Sequence, residues 1–188
     1  MMEITYVTGN KDKIESARTY LEPLGVKVNH IKMDTPEIQA DDVEEIAKYS
    51  AKYASDKLKK TVIKNDTGFF VEALNGFPGA YSHFCEDTIG RDGLLKLLID
   101  KENRRAKFVE CFAYCEYGKE PVVFKSITNG VIATESYGGV ERGWDSVFIV
   151  DGQTKPLAYF PDKERHLLWD TSAYDEIISY LKDKEKLQ

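Results

Sequence analysis

The stretch KNDTGFFVEALNGFPGAY, residues 64–81, decides how we interpret the fold of this chain. A β-prone run leads to Asp66, which is followed at once by Thr67 and Gly68. A second apolar run, residues 69–71, then enters the turn-rich segment NGFPG. A carboxylate and a glycine at the end of a strand are typical of a loop that presents a charge to a ligand. An ordinary hairpin with a polar turn explains the same residues equally well.

The composition is that of an ordinary globular protein. Of 188 residues, 42% are apolar and 31% are charged, and the length suits one large domain or two small lobes. The net charge of −6 argues against a nucleic-acid-binding surface, although it permits a local basic pocket. The beginning, MMEITYVTGN, has no basic segment followed by a long apolar run. We expect one domain over residues 1–188, cytoplasmic, with no nucleic-acid or membrane partner.

The three cysteines are predicted to be packing residues. An odd number of cysteines fits a reducing compartment. Cys111 and Cys115 lie in a strand-like run, where residues four apart are separated by roughly 13 Å at about 3.3 Å per residue. That separation is too large for a disulfide or a shared metal ion, and Cys85 has no neighbouring cysteine in the sequence.

The N-terminal segment predicts a strand, a tight turn and a helix. Residues 4–8 are predicted to form a short buried strand that ends at Gly9. Asn10 is a good N-cap, and apolar positions then recur at helical spacing up to the stop signal at Gly25. Lys11 and Lys13 occupy the first helical turn, where the helix dipole disfavours cations. A bound phosphate would explain them, because free N–H groups, the dipole and a lysine would converge on it. Two solvated surface lysines are an equally good explanation.

The remaining segments continue this alternation of strands and helices. Lys52 lies on the polar face of a helix, either as a solvated salt-bridge residue or as a cation facing a cleft. A glycine-rich loop ends in Trp144 and Asp145, which either contact a flat ring or belong to the core. We expect a strand at 26–31, a polar connection at 32–41, a helix at 42–58, a leucine-rich helix within 88–99, a hairpin of strands at 108–117 and 122–134, a strand at 147–150 and a helix at 172–184. This order predicts a mixed α/β sheet with helices on its faces.

Five short motifs resemble, in their order and spacing, one family, the inosine triphosphate pyrophosphatases (the Ham1-like nucleotide pyrophosphatases). They are Thr8-Gly9-Asn10-x-x-Lys13, Pro36-Glu37-Ile38-Gln39, Asp66-Thr67-Gly68, the run EALNGFPGAYS at 72–82, and Gly143-Trp144-Asp145 with Phe148 and Asp151-Gly152. Each motif is short, but five in the right order are specific. The resemblance extends from Thr5 to about Ala158.

This resemblance implies a long, twisted mixed β-sheet flanked by helices, in two lobes with a nucleotide cleft between them, and a homodimer. It also implies Mg²⁺-dependent hydrolysis of deaminated purine nucleoside triphosphates, such as ITP, XTP and dITP, to a monophosphate and pyrophosphate. By position, Asp66 and Glu37 would bind Mg²⁺, and Asp66 and Lys13 would be the catalytic residues. The residues implied to bind the substrate are Thr8, Asn10, Lys13, Lys52, Thr67, Gly68, Tyr81, Trp144, Asp145 and Lys155, of which Tyr81, Trp144 and Asp145 would flank the base.

The chain departs from the family pattern at two important places. Asn65 stands where an acidic residue usually precedes the equivalent of Asp66. The Ser-His-Arg motif that reads the 6-keto purine in the family is replaced by residues 169–171, WDT, while Arg165 and His166 lie a few residues earlier. Two alternatives therefore stay open: a catalytically weak or silent nucleotide-binding relative, and a house-cleaning pyrophosphatase with a different base preference.

Overall fold

The computed structural model describes residues 2–36 and 38–186, and its regular elements are as follows. The strands are β1 (Met2–Val7), β2 (Val26–Ile31), β3 (Val62–Val71), β4 (Pro78–Gly79), β5 (Arg105–Cys115), β6 (Val122–Ile132) and β7 (Phe148–Val150). The α-helices are α1 (Lys11–Leu21), α2 (Val43–Leu58), α3 (Ser82–Thr88), α4 (Gly90–Leu97), α5 (Asp162–Arg165) and α6 (Ser172–Lys186). Among the described residues, every helix is too short or too polar to span a bilayer.

The strands form one mixed sheet in the order β2-β1-β3-β5-β6-β7, with β4 paired to β3. β1 runs parallel to both of its neighbours, with Met2 opposite Val26 and Tyr6 opposite Ile63. β4 is antiparallel to β3, and β7 is antiparallel to β6. Parallel neighbours need crossover connections, which α1 and α2 supply. The expectation of a mixed α/β sheet with flanking helices is confirmed.

The chain divides into two compact units. Unit 1 comprises Met1–Asp66, Glu110–Ser126 and Thr171–Gln188. Its core brings α1 and α6 together with β1, β2 and parts of β3, β5 and β6. The inward positions predicted for the last helix are confirmed, because α6 buries Tyr174, Ile177, Ile178 and Leu181.

Unit 2 comprises Thr67–Val109 and Ile127–Asp170 and has an aromatic core of its own. Phe69 and Phe108 stack with ring centroids 4.3 Å apart, and Phe148 meets both rings edge-on. Such pairs add about 0.5–1.5 kcal/mol each beyond the burial of their area. The apolar run after the polar centre of β3 and the apolar residues at the start of β5 therefore find their partners within this unit.

The first two helices begin at side-chain caps. The Asn10 carboxamide oxygen accepts from the backbone N–H of Asp12 at 2.8 Å and of Lys13 at 3.3 Å, which confirms the predicted N-cap. Asp42 caps α2 in the same way, accepting from Glu44 N–H at 2.8 Å. A cap of this kind stabilises a helix by about 1 kcal/mol.

β3 differs from its prediction. It is one continuous strand of 10 residues, and Asp66, Thr67 and Gly68 lie in its middle rather than in a turn. The expected turn was wrong because β3 continues through these residues as an inner strand of the sheet, between β1 and β5 in the strand order. Its place in the sheet outweighs the low strand preference of aspartate and glycine.

The leucine-rich segment forms α4, but α3 before it was not expected. This helix buries only Ser82 and Cys85 and leaves Phe84 67% exposed, so its sequence has no clear amphipathic period. Gly90, with φ at 59°, marks the change from one helix to the next.

The cysteines are buried free thiols, as predicted. Burial raises the pKa of Cys85 and Cys115, and it raises the pKa of Cys111 to about 12. Such thiols are protonated at neutral pH and are poor nucleophiles. We therefore assign no chemistry to them.

Gly130→Ala is expected to lower the free energy of unfolding by about 2 kcal/mol or more. Gly130 pairs with Val150, and an added Cβ would overlap the carbonyl oxygen of Ile149 and lie 2.7 Å from Cζ of Phe148. Urea unfolding followed by circular dichroism measures this change. Gly9→Ala is the control, because the nearest atom to its Cβ, Cε of Lys32, would be 3.9 Å away. Equal losses in the two variants would contradict the prediction.

Candidate active site

The turn between β1 and α1 is held by its own side chains. Thr8 is 7% exposed, and its Oγ1 accepts from the backbone N–H of Asn10 at 3.0 Å. The Thr8 carbonyl oxygen lies 2.8 Å from Nε2 of His30. Asn10 in turn caps the helix that carries Lys13. These contacts are made by groups of the turn itself and of the neighbouring strand β2.

Lys13 extends from α1 to β3. Its Nζ donates to the backbone carbonyl of Asn65 at 3.5 Å, and Asn65 directly precedes Asp66. The parallel pairing of Tyr6 with Ile63 places the end of β1 next to this part of β3. The two residues predicted to be catalytic, Lys13 and Asp66, are therefore brought to neighbouring positions within unit 1.

Asp66 is partly buried, and Lys64 leaves β3 on the same face because side chains alternate along a strand. Lys64 Nζ donates to Oγ1 of Thr35 at 2.6 Å. Thr35 lies two residues before Glu37, the predicted second metal ligand, which lies outside the described residues. Lys64 was not predicted as a site residue, although its alternation with Asp66 was a signal that could have found it.

Lys52 is engaged on α2. Its Nζ donates to both carboxylate oxygens of Asp56, at 2.9 and 3.1 Å. This hydrogen bond raises the pKa of the Lys52 ammonium. Of the two readings of Lys52, the solvated salt bridge describes its contacts here, and its phosphate-binding role stays a prediction.

In unit 2, Thr67 and Gly68 continue the strand and Tyr81 precedes α3. The Thr67 carbonyl accepts from Oγ of Ser82 at 3.3 Å, while Oγ1 of Thr67 is buried and has no hydrogen-bond partner in the described part of the chain. Gly68 is buried, and Tyr81 is 42% exposed. Of these residues, Tyr81 presents the most surface to a ligand.

Trp144 lies in the core of unit 2. It is 5% exposed, its indole N–H donates to the Ser82 carbonyl at 3.2 Å, and its ring centroid lies 5.4 Å from that of Phe69. This hydrogen bond therefore connects the turn at Gly143 to the start of α3. Its predicted position beside a base stays a prediction.

Asp145 forms an ion pair that the sequence did not reveal. Arg165 approaches its carboxylate to 3.2 Å and also pairs with Asp162 at 3.1 Å. Both Asp145 and Arg165 are largely buried, at 24% and 17% side-chain exposure, so this pair is better defined than a surface ion pair. Nζ of Lys155 lies 6.0 Å from the ring centroid of Tyr159, and its substrate contact stays a prediction.

Comparison with known proteins relates these features to one family. The model of the Ham1 family matches residues 4–169, which include every predicted site residue. The chain belongs to the Ham1 family. It is 43% identical over 164 residues, 87% of either chain, to a protein of Methanopyrus kandleri named dITP/XTP pyrophosphatase. It is 40% identical over 186 residues to a protein of the same name from Thermococcus kodakarensis, covering 98% of this chain and 100% of that one.

A solved Ham1 structure shows the same fold. The Ham1 protein of Staphylococcus aureus superimposes with a TM-score of 0.81 at 28% identity, covering 97% of this chain and 99% of that one. The sheet order and the helices described above are thus those of a Ham1 protein, and the recognition made from five sequence motifs is confirmed.

Glu110 on β5, which was not among the predicted site residues, contacts Asn65 on β3. Asn65 is 8% exposed, and its Nδ2 donates to Oε1 of Glu110 at 3.5 Å, while its Oδ1 is buried and has no hydrogen-bond partner in the described part of the chain. Glu110 was detectable in the sequence as a carboxylate between Phe108 and Phe112, where the alternation of β5 calls for an apolar residue. The amide at Asn65 thus faces a carboxylate.

Three tyrosines lie in the field of Glu110. Burial, together with this carboxylate, raises the pKa of Tyr6, Tyr20 and Tyr174. Tyr6 is fully buried, and its hydroxyl has no hydrogen-bond partner among the described residues. A second negative charge next to Glu110 would therefore be poorly solvated.

Asn65→Asp is expected to lower the free energy of unfolding at pH 7 by about 2 kcal/mol, because two carboxylates would meet in a buried site. The repulsion raises the pKa of the pair in the folded state, so the loss should shrink as the pH falls towards about 5. Asn65→Asp with Glu110→Gln is the matched variant, since it exchanges the amide and the carboxylate. Urea unfolding at the two pH values measures both. A double variant no more stable than Asn65→Asp would contradict the pairing.

Proposed function

We propose that this Ham1-family protein is a Mg²⁺-dependent nucleoside triphosphate pyrophosphatase, which hydrolyses deaminated purine nucleotides such as dITP, ITP and XTP to a monophosphate and pyrophosphate. Relatives of nearly the same length carry the name dITP/XTP pyrophosphatase. The contact of Lys13 with β3 carries the proposal on the structural side, since it sets a cation beside the strand that bears Asp66.

The triphosphate part of the substrate needs positive charge and hydrogen-bond donors. Lys13 supplies a cation at the start of α1, where the helix dipole also favours an anion. Thr8 and Asn10 shape the turn, and we propose that they and Lys52 bind phosphate oxygens. Lys52 has to leave Asp56 to do so, which costs little because an exposed ion pair is weak.

Asp66 is the proposed base for the attacking water. Its carboxylate orients the water and accepts its proton as the phosphoanhydride between the α and β phosphates breaks. Lys13 stabilises the negative charge that moves onto the pyrophosphate leaving group. Neither role requires histidine, and the three histidines of the chain take no part in the proposal.

The donor set suits Mg²⁺. Asp66 offers a hard carboxylate, whereas the Asn65 amide oxygen is buried on the opposite face of β3 and is not proposed as a ligand. Among the described residues no group of three or more His, Cys, Asp or Glu is arranged to hold a metal ion. Mg²⁺ commonly binds one or two carboxylates and completes its shell with waters and substrate phosphates. We propose Asp66 and Glu37 as its ligands, and the bound ion would neutralise charge on the phosphates.

We propose that Tyr81, Trp144, Asp145 and Lys155 contribute to binding the nucleoside. Tyr81 has an exposed ring, Asp145 is held by Arg165, and Trp144 supports the turn between them. The proposal also includes a homodimer in the cytoplasm, and three buried free thiols suit a reducing compartment.

A pyrophosphate-release panel tests the function. Purified protein is assayed with ITP, XTP, dITP, GTP, ATP and modified pyrimidine triphosphates, with Mg²⁺ and with EDTA. Turnover of ITP, XTP and dITP that requires Mg²⁺ and exceeds that of ATP is the expected result. Nucleotide binding without any turnover would favour a silent relative, and turnover confined to modified pyrimidines would favour a different house-cleaning activity.

Asp66→Asn is expected to lower kcat for ITP by at least about 100-fold, because the amide cannot accept the proton of the water. The free energy of unfolding should change by no more than about 1 kcal/mol, since the residue stays polar and of the same size. Asp183→Asn on α6, whose side chain is 71% exposed, is the matched control. Near-normal turnover in Asp66→Asn would remove this residue from the proposed role.

A further inference from the structure

Glu86 on α3 packs against the turn at Gly143. Gly143 has φ 50° and ψ −134°, a conformation that side chains disfavour. A Cβ on Gly143 would overlap Oε1 of Glu86 and lie 2.7 Å from its Cδ. The backbone conformation favours glycine, and the Glu86 carboxylate occupies the space beside Gly143 that a Cβ would take.

The Glu86 carboxylate is partly buried, and no side-chain hydrogen bond contributes to its pKa among the described residues. Burial raises its pKa, and the negative charges of Asp145 and Asp87 raise it further, while His83 alone opposes them. Among the described residues, the Glu86 oxygens do not belong to the fully buried polar atoms that lack a partner, so the carboxylate stays accessible to solvent or to a ligand. A partly buried carboxylate without a protein donor gains free energy from a ligand that donates to it.

A pocket of about 230 Å³ opens beside this carboxylate. Besides Glu86 and Gly143 it is lined by Thr88, Ile89, Gly90, Arg91 and Asp92. Arg91 is directed elsewhere: its Nη1 donates to the carbonyls of Gly138 and Gly139 at 3.0 and 2.6 Å, and its Nε lies 3.8 Å from the Asp92 carboxylate. The pocket has room for the edge of one ring system, and it is smaller than the sites that enclose whole drug-sized ligands.

We propose that Glu86 is a specificity-determining residue that accepts a hydrogen bond from the N1–H of a 6-oxopurine base. This inference rests on the proposed function. Hypoxanthine and xanthine carry a hydrogen on N1, whereas adenine presents an unprotonated N1 whose lone pair a carboxylate repels. Glu86 lies beside Gly143 and in the field of Asp145, so it joins the residues proposed to bind the nucleoside.

The same chemistry sets the limit of the discrimination. Guanine also carries N1–H, so Glu86 separates 6-oxopurines from adenine and does not separate hypoxanthine from guanine. A buried acceptor that is left unpaired by the wrong substrate discriminates more strongly than apolar contacts do.

Glu86→Gln tests the proposal, because it keeps the shape and removes the charge. We expect kcat/KM for ITP, XTP and GTP to fall roughly 10-fold to 100-fold, mainly through KM, as for the loss of a hydrogen bond to a charged group. The value for ATP should stay within about 3-fold, or rise, because the amide N–H can pair with N1 of adenine. Calorimetry with IMP and AMP should show the same loss of preference without turnover.

Asp87→Asn is the matched control. It removes the same charge from the next residue of α3, whose side chain is 67% exposed, and it should leave the ratio of ITP to ATP unchanged. Equal losses for all purines in Glu86→Gln, or the same change in Asp87→Asn, would overturn the assignment. If the wild-type protein hydrolyses no triphosphate but Glu86→Gln abolishes a preference for IMP over AMP, the base contact stands and the proposed function fails. If the wild-type protein hydrolyses triphosphates but Glu86→Gln leaves the preference for IMP over AMP unchanged, the proposed function stands and the base contact fails.

Discussion

The parallel pairing of β1 with β3 is the constraint on which the arrangement of the proposed active site depends. With Tyr6 opposite Ile63, the turn that follows β1 lies next to residues 64–66 of β3. This register lets Lys13 reach the carbonyl of Asn65 and sends Asp66 to the other face of the strand. A slip of one residue would exchange the faces of the sheet on which Asn65 and Asp66 lie. The buried residues of β3 fix the register, and they therefore also fix the side chains of the proposed site.

A positively charged side chain, Lys13, reaches the centre of β3 although the chain as a whole is negatively charged. The protein carries a net charge of −6, yet its proposed substrate is a polyanion. Lys13 extends from α1 to the centre of β3 and donates to the backbone carbonyl of Asn65, which is a neutral oxygen. This contact is not an ion pair. On the proposed function, binding of the triphosphate depends on a few positioned cations, whereas the net charge bears on solubility and association.

Three polar residues stand where packing alone would not place them. Asn65 and Glu110 face each other in unit 1, and Glu86 lies against Gly143 in unit 2. The buried amide oxygen of Asn65 has no hydrogen-bond partner in the described part of the chain, and burial raises the pKa of Glu86. Local rules of this kind are most often broken at functional sites. Asn65 stands where the family usually has an acidic residue next to Asp66. The Asn65–Glu110 contact shows that a carboxylate lies close to this position on the neighbouring strand β5.

The sequence by itself determined the fold class, most element positions, the cap at Asn10 and the family, because these depend on local periodicity and on short motifs. It misplaced a turn at Asp66–Gly68 and missed α3, because strand pairing and burial outweigh local preference there. Only the tertiary structure decided the partners: Lys13 with Asn65, Glu110 with Asn65, Arg165 with Asp145, and Glu86 with Gly143. Each joins residues at least 20 positions apart, and such contacts follow from strand register and packing, which no single segment contains.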